Sequence, residues 1–203
     1  MDVGRSSEGR SLTPLGIAAL ALLTERPMHP YEMYQLLLTR REDRLLKIRP
    51  GTLYHAVDRL AEDHLVEVCG TDRDGNRPER TTYRVTAGGR WALTRTIADE
   101  LASPATEYPR FTLAVSEAHT LPTDQVSAHL QRRIVALRAE VDELRDGHRA
   151  ATARGVARPY LIDLEYSGTL LDAEIAWLTD IVADLDTGRL DWPSPTEGPH
   201  RDH

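Results

Sequence analysis

From Leu12 to Leu101 the apolar positions recur every three or four residues, then every two, then every three or four again. That change of period separates helix from strand. Thr13-Pro14 supplies a helix N-cap followed by proline at the first helical position. Leu15, Ala18, Ala19 and Leu22 follow at helical spacing, and Ile17, Leu20 and Leu23 broaden the face until Pro27 stops it. A helix so apolar must be buried between others. Pro30 opens a second helix, with Glu32 in its first turn and Tyr34, Leu37 and Leu38 as the expected inner face. Arg40, Arg41, Arg44 and Lys47 follow. A third helix begins near Pro50. Leu53, Ala56, Val57 and Leu60 turn inward; Thr52, His55, Asp58, Arg59 and Glu62 turn outward, with Tyr54 on the flank. The period then becomes two. Val66 and Val68 alternate with Glu67, Tyr83 and Val85 alternate with Thr82 and Arg84, and Asp74-Gly75 marks the turn between. Thr86 caps a fourth helix running through Trp91, Leu93 and Ile97 to Leu101.

Past a break at Pro104–Pro109 and a short apolar helix from Phe111 to Ala118, the pattern is helical again. Leu130, Ile134, Leu137, Val141 and Leu144 step 4-3-4-3. Beyond Gly155–Pro159, Leu161, Leu164, Gly168, Leu171, Ile175, Leu178, Val182 and Leu185 step 3-4-3-4-3-4-3. Such seams join helices at a shallow angle. An intrachain hairpin satisfies the pattern, and so does a bundle shared by two chains. We expect the shared bundle, with Leu130, Ile134, Leu137, Leu164, Leu171, Ile175, Leu178 and Val182 as dimerisation residues. One reading helix covers only half of a two-fold DNA site.

The fold class expected is mainly α with a small β-ribbon. Residues 12–102 form a winged helix-turn-helix and residues 110–187 a long-helix dimerisation domain; residues 1–11 and 188–203 are expected to be flexible. Net charge is −7, which argues against a nucleic-acid partner until it is divided. Residues 1–90 hold 14 of the 25 Lys+Arg and 13 of the 32 Asp+Glu, a balance of +1, so residues 91–203 carry −8. A local basic patch in the first half can still meet phosphate. Lys47 is the single lysine, so nearly every cation is arginine, suited to bidentate contacts. Cys69 is the single cysteine, which excludes an intrachain disulfide or a cysteine-based zinc site and fits a reduced, cytoplasmic setting. No apolar run suits a signal peptide or a membrane span.

Three strings, HPYEMYQLL, GTLYHAVDRLAEDHLVE and TTYRVTAGGR, together resemble the PadR family of bacterial transcriptional regulators. The match covers roughly residues 12–95. It rests on Tyr31 in the second helix, Gly51 to Tyr54 opening the third, and Tyr83, Thr86 and Gly89 closing the wing. Two departures stand out. His64 occupies a helix end where the family has glycine, and the wing from Gly75 to Arg80 is less basic than the family's pattern. Phe111-Thr-Leu-Ala and Asp172 to Leu178 (DAEIAWL) resemble the longer C-terminal domain of one branch of the family. The resemblance implies a homodimeric repressor bound to a palindromic double-stranded DNA operator. In some relatives it also implies relief by a small-molecule effector beside the C-terminal helices.

The candidate DNA-binding residues are Tyr31, Lys47, Arg49, Gly51, Thr52, Tyr54, His55, Arg59, Arg73, Arg77 and Arg80. Thr52, Tyr54 and His55 are placed at base edges; Lys47, Arg49 and Arg59 at phosphates; the wing arginines at the flanking backbone or minor groove. The bland reading of the wing is a solvated hairpin tip, to which Asp72, Asp74 and Glu79 lend weight. Phe111 and Trp177 are candidates for lining an effector site, against the plainer reading that they are packing residues. Eight histidines form no HExxH pair, and no Ser-His-Asp context is recognisable, so no enzyme, metal or cofactor is expected. Asp72-x-Asp74-Gly75 lacks the other ligands of a calcium loop. The competing function is a winged-helix module that binds protein rather than DNA, its acidic second half suited to a basic partner.

Overall fold

The computed structural model of the chain describes residues 11–72, 80–104 and 108–193. α1 (Pro14–Glu25) starts where the Thr13 hydroxyl accepts the Gly16 N–H at 3.1 Å, and ends where Arg26 turns extended ahead of Pro27. Ala18, Ala19, Leu20, Leu22 and Leu23 are all buried, so α1 is the central helix of its unit. α2 (Pro30–Thr39) differs from expectation. Its buried row is Pro30, Met33 and Leu37, while Tyr34 and Leu38 are half-buried. The inner stripe lies one position around the helix, and Met33, whose flexible thioether fills irregular gaps, is at its centre. Arg40 grips Glu25 through two nitrogens at 2.6 and 2.8 Å, tying the ends of α1 and α2. A turn of 3-10 helix, Glu42–Arg44, leads towards the third helix.

α3 (Pro50–Glu62) buries Leu53, Val57 and Leu60, with Ala56 half-buried. Its end explains the histidine found in place of glycine. The Leu65 N–H donates to the Leu60 carbonyl at 2.8 Å, and the His64 N–H to Ala61 at 3.0 Å. This paired closure needs a left-handed residue, and His64 adopts it at φ 56°. β1 (Val66–Asp72) then pairs antiparallel with β2 (Arg80–Val85). Val66 and Val85 are buried partners, but the register shifts between Val68 and Gly70 and Val68 is exposed. The bulge interrupts the alternation that Val66-Glu67-Val68 announces. A single residue, Met28, adds to the ribbon: it exchanges two backbone hydrogen bonds with Tyr83, each 3.0 Å. α4 (Ala87–Ala102) follows, and of its large apolar residues only Leu93 is buried; Trp91, Ile97 and Leu101 are exposed.

The chain divides into two compact units, Met1–Thr106 and Glu107–His203. The second contains α5 (Arg110–Ser116), α6 (Thr123–Ala153) and α7 (Ile162–Asp186). Ile134 and Leu137 of α6 meet Leu178 and Val182 of α7, with Leu130, Leu171, Ile175 and Phe111 packed around them. The heptad seam is thus occupied by α6 and α7 of one chain, the intrachain hairpin that the pattern also allows. Leu164, half-buried, lies in the first turn of α7. Polar ties fix the pairing. The buried Ser127 hydroxyl donates to Asp186 at 2.7 Å, Arg133 meets Glu174 at 2.6 Å, and Arg145 meets Asp172 at 2.9 Å. Two contacts involve residues 188–192. The Trp192 indole N–H donates to the Leu121 carbonyl at 2.9 Å, and Arg189 pairs with Asp184. No helix among the described residues is long and apolar enough to cross a membrane.

Candidate nucleic-acid interface

α3 presents its outer face because the inner one is fully engaged. Leu53, Val57 and Leu60 lock the helix to the core, which leaves Thr52, Tyr54, His55 and Arg59 exposed on the other side. Pro50 is the first helical residue and Arg49 makes no side-chain cap. The Leu53 N–H is the first to close an intrahelical bond, to Arg49 at 3.1 Å. The Gly51 and Thr52 N–H groups ahead of it therefore point out of the helix end, where an anion is favoured. A side chain at Gly51 would meet nothing within 4 Å. The fold does not need that glycine; bare backbone at a helix end allows close approach from outside.

The Thr52 hydroxyl donates to the Arg49 carbonyl at 2.9 Å. Its hydrogen is spent, so towards a ligand it offers acceptor lone pairs and a methyl group. Several arginines of the first unit are paired: Arg26 with Glu32, Arg40 with Glu25, Arg84 with Glu67, Arg95 with Asp99. Lys47, Arg49, Arg59 and Arg80 have no carboxylate partner among the described residues, and three of the four border α3. Asp58 and Glu62, also exposed on α3, are the acidic neighbours of this group.

The pattern of apolar positions gave no sign of His29. Its Nδ1 accepts the Tyr31 N–H at 3.0 Å and so caps α2, and its ring meets Tyr54 edge-on at 5.9 Å. Burial pushes the His29 pKa below its ordinary 6.5, the Arg80 cation pushes the same way, and Glu32 opposes both. His29 thus stands between the start of α2, the flank of α3 and the base of the wing. The signal was available: a histidine directly before Pro30 occupies the N-cap position. Tyr31 is half exposed beside it. Arg73, Arg77 and the Asp74-Gly75 turn lie outside the described residues. Phe111 packs on the α6–α7 core under the Arg133 guanidinium, 3.6 Å from the ring centre, and Trp177 lies on the exposed side of α7. Among the described residues no group of three or more His, Cys, Asp and Glu is placed to hold a metal.

Three helices, a ribbon and a return helix, with the third helix turned outward, define a winged helix-turn-helix protein. Residues 19–95 match the model of the transcriptional regulator PadR-like family. Among curated protein sequences none matches the chain. Solved structures do. Bacillus subtilis PadR in complex with operator DNA is 17% identical, with a TM-score of 0.71 over 85% of this chain and 97% of that one. Bacillus subtilis PadR in complex with p-coumaric acid is 15% identical, with a TM-score of 0.70 over 85% and 98%. The Vibrio cholerae virulence activator AphA is 18% identical, with a TM-score of 0.67 over 86% and 99%. At these identities the likeness establishes the fold, and it extends through both units.

Proposed function

We propose that the chain is a homodimeric, sequence-specific DNA-binding regulator of transcription that represses from a palindromic operator and is relieved by a small molecule. The observation that carries this reading is the unpaired set Lys47, Arg49, Arg59 and Arg80 around the exposed face of α3. Arg26, Arg40 and Arg84 of the same unit are each paired with a carboxylate, whereas these four stand open to an outside anion. In the reading, the N-terminal end of α3 enters the major groove, and the free Gly51 and Thr52 N–H groups fix it on a phosphate. Thr52, Tyr54 and His55 meet base edges. The role is regulation and not catalysis, in the cytoplasm. Repression and small-molecule relief draw support from the solved Bacillus subtilis PadR structures, one with operator DNA and one with p-coumaric acid.

The second copy is assigned to α7. With the seam filled inside one chain, Ile162, Tyr166, Leu170, Ala173 and Trp177 remain exposed at steps of four, four, three and four. They form a second apolar stripe on the side of α7 away from α6. A helix apolar on two sides is covered on both, and a two-fold pairing of this stripe gives the reader its second half-site.

A mobility shift with the chain's own upstream region tests the reading. Four cations from each protomer of a dimer predict that log affinity falls with log salt at a slope of about −7. A flat response to salt, or no shift at all, removes the DNA reading and leaves a protein-binding module. Transcription from that region with and without the protein decides between repression and activation.

A further inference from the structure

Beside α3 lies a groove that phosphate contact does not explain. It runs between the start of α1, the connection after α2 and the outer face of α3, with a volume of about 470 Å³. That falls within the roughly 300–1,000 Å³ of small-molecule sites. Its lining is mainly apolar: Pro14 and Leu15 from α1, Leu45 and Leu46 from the connection, Ala56 from α3. Leu45 is 55% exposed, an apolar side chain left in water on the face that would otherwise meet a polyanion. Lys47 and Arg59 stand on the rim, both without a carboxylate partner among the described residues. Thr52 and His55 complete the wall.

We propose that this groove binds a small amphipathic monoanion, with its apolar body on Leu15, Leu45 and Leu46 and its acid group between Lys47 and Arg59. Each half of the site asks for one half of such a ligand. Burying an apolar body on the floor yields about 25 cal/mol for each Å² removed from water. The two unpaired cations supply charge-assisted hydrogen bonds to a carboxylate. Neither half selects a metal ion or a sugar, and a neutral hydrocarbon would use the floor alone and leave both cations without a partner. Four wall and rim residues (Lys47, Thr52, His55 and Arg59) are also candidate DNA contacts. Ligand and DNA therefore exclude one another, and relief of binding needs no signal from the second unit. That competition rests on the function proposed above; the existence of the site does not.

The test uses the full chain, with sodium octanoate as probe and 1-octanol as its uncharged counterpart. Calorimetric titration is expected to show octanoate bound at least tenfold more tightly than octanol. Leu45→Ser weakens both, because it removes apolar floor from the groove. Lys47→Gln with Arg59→Gln removes the preference for the acid. Octanoate at ten times its own Kd raises the apparent Kd for the upstream DNA about elevenfold for each groove that must be empty, so roughly a hundredfold for a dimer that uses both recognition helices. No octanoate binding, or binding that neither variant changes, overturns the site. Octanoate and DNA held together on one protein overturn the competition. Octanoate bound as described by a protein that shifts no DNA at any salt keeps the site and removes the regulator reading instead.

Discussion

Two glycine positions and one histidine show how local sequence and tertiary packing trade against each other. A Cβ on Gly89 would come within 2.0 Å of the Leu65 carbonyl oxygen and 2.9 Å of a Val85 methyl. Gly89 is therefore what lets α4 start against the end of α3. Thr86 fixes the same corner, accepting the Gly89 N–H at 3.0 Å while donating to the His64 carbonyl at 2.9 Å. Gly89→Ala is expected to cost about 1–3 kcal/mol, the usual range for overpacking, read as a lower urea midpoint at unchanged slope. His64 works in the opposite sense, since a left-handed histidine carries strain that glycine does not. His64→Gly is expected to gain up to about 1 kcal/mol in the same titration. Gly51 is a glycine the fold does not use. Gly51→Ala should leave the urea midpoint equal or higher, since alanine is the better helix former. Binding to the upstream DNA should weaken if a phosphate sits on that helix end. Unchanged DNA affinity would remove Gly51 from the interface.

At the scale of elements, the apolar periods placed α1, α3, the two strands and α4, because each carries its own punctuation: Thr13-Pro14, Pro50, the change to period two, and Thr86. What was not legible depends on neighbours. The inner row of α2 shifted by one position because Pro30, Met33 and Leu37 fit the core and Tyr34 does not need to. Val68 reads as core and is exposed, because a bulge is a property of the strand pair and not of one strand. The outward residues of α3 were legible, as an amphipathic helix has only one face to give away. His29 was legible only as a cap before Pro30, since its place beside Tyr54 and the wing arises only when α2, α3 and the wing meet. Its link to the Tyr31 N–H requires a neutral ring, and the folded protein holds its pKa below 6.5. Below that pH the unfolded chain takes up the proton more readily than the folded one. Stability is therefore complete above pH 6.5 and falls as the pH drops from there through the lowered folded value. Asparagine retains the capping acceptor without the titration. The fall in Tm between pH 7.5 and pH 5.5 should accordingly be smaller in His29→Asn than in the wild type. An equal fall in both would assign the acid sensitivity to other groups.

At the scale of the whole molecule, the heptad pattern identified a seam but not its owner. A 3-4 repeat is satisfied by any helix of matching pitch, whether it comes from the same chain or another. Here α6 takes it, and Leu178, which contacts Ile134 and Leu137, is fully buried in a single chain. A charge at Leu178 therefore does not test dimerisation: Leu178→Asp buries an unpaired carboxylate in the protomer's own core and unfolds the second unit. The residues that report on a partner are those on the outer stripe. Tyr166 and Trp177 are large, apolar and exposed, at 67% and 44%, and little in the chain depends on them. Tyr166→Glu with Trp177→Glu should leave helix content and Tm near those of the wild type while sedimentation shifts from dimer to monomer. The monomer keeps one recognition helix and its cations, so it should bind random DNA through phosphate contacts much as before. Its preference for the two-fold site should fall steeply, because it reads one half-site instead of two. A dimer that survives both glutamates excludes the α7 stripe as the interface and turns attention to exposed Trp91 and Leu101 of α4.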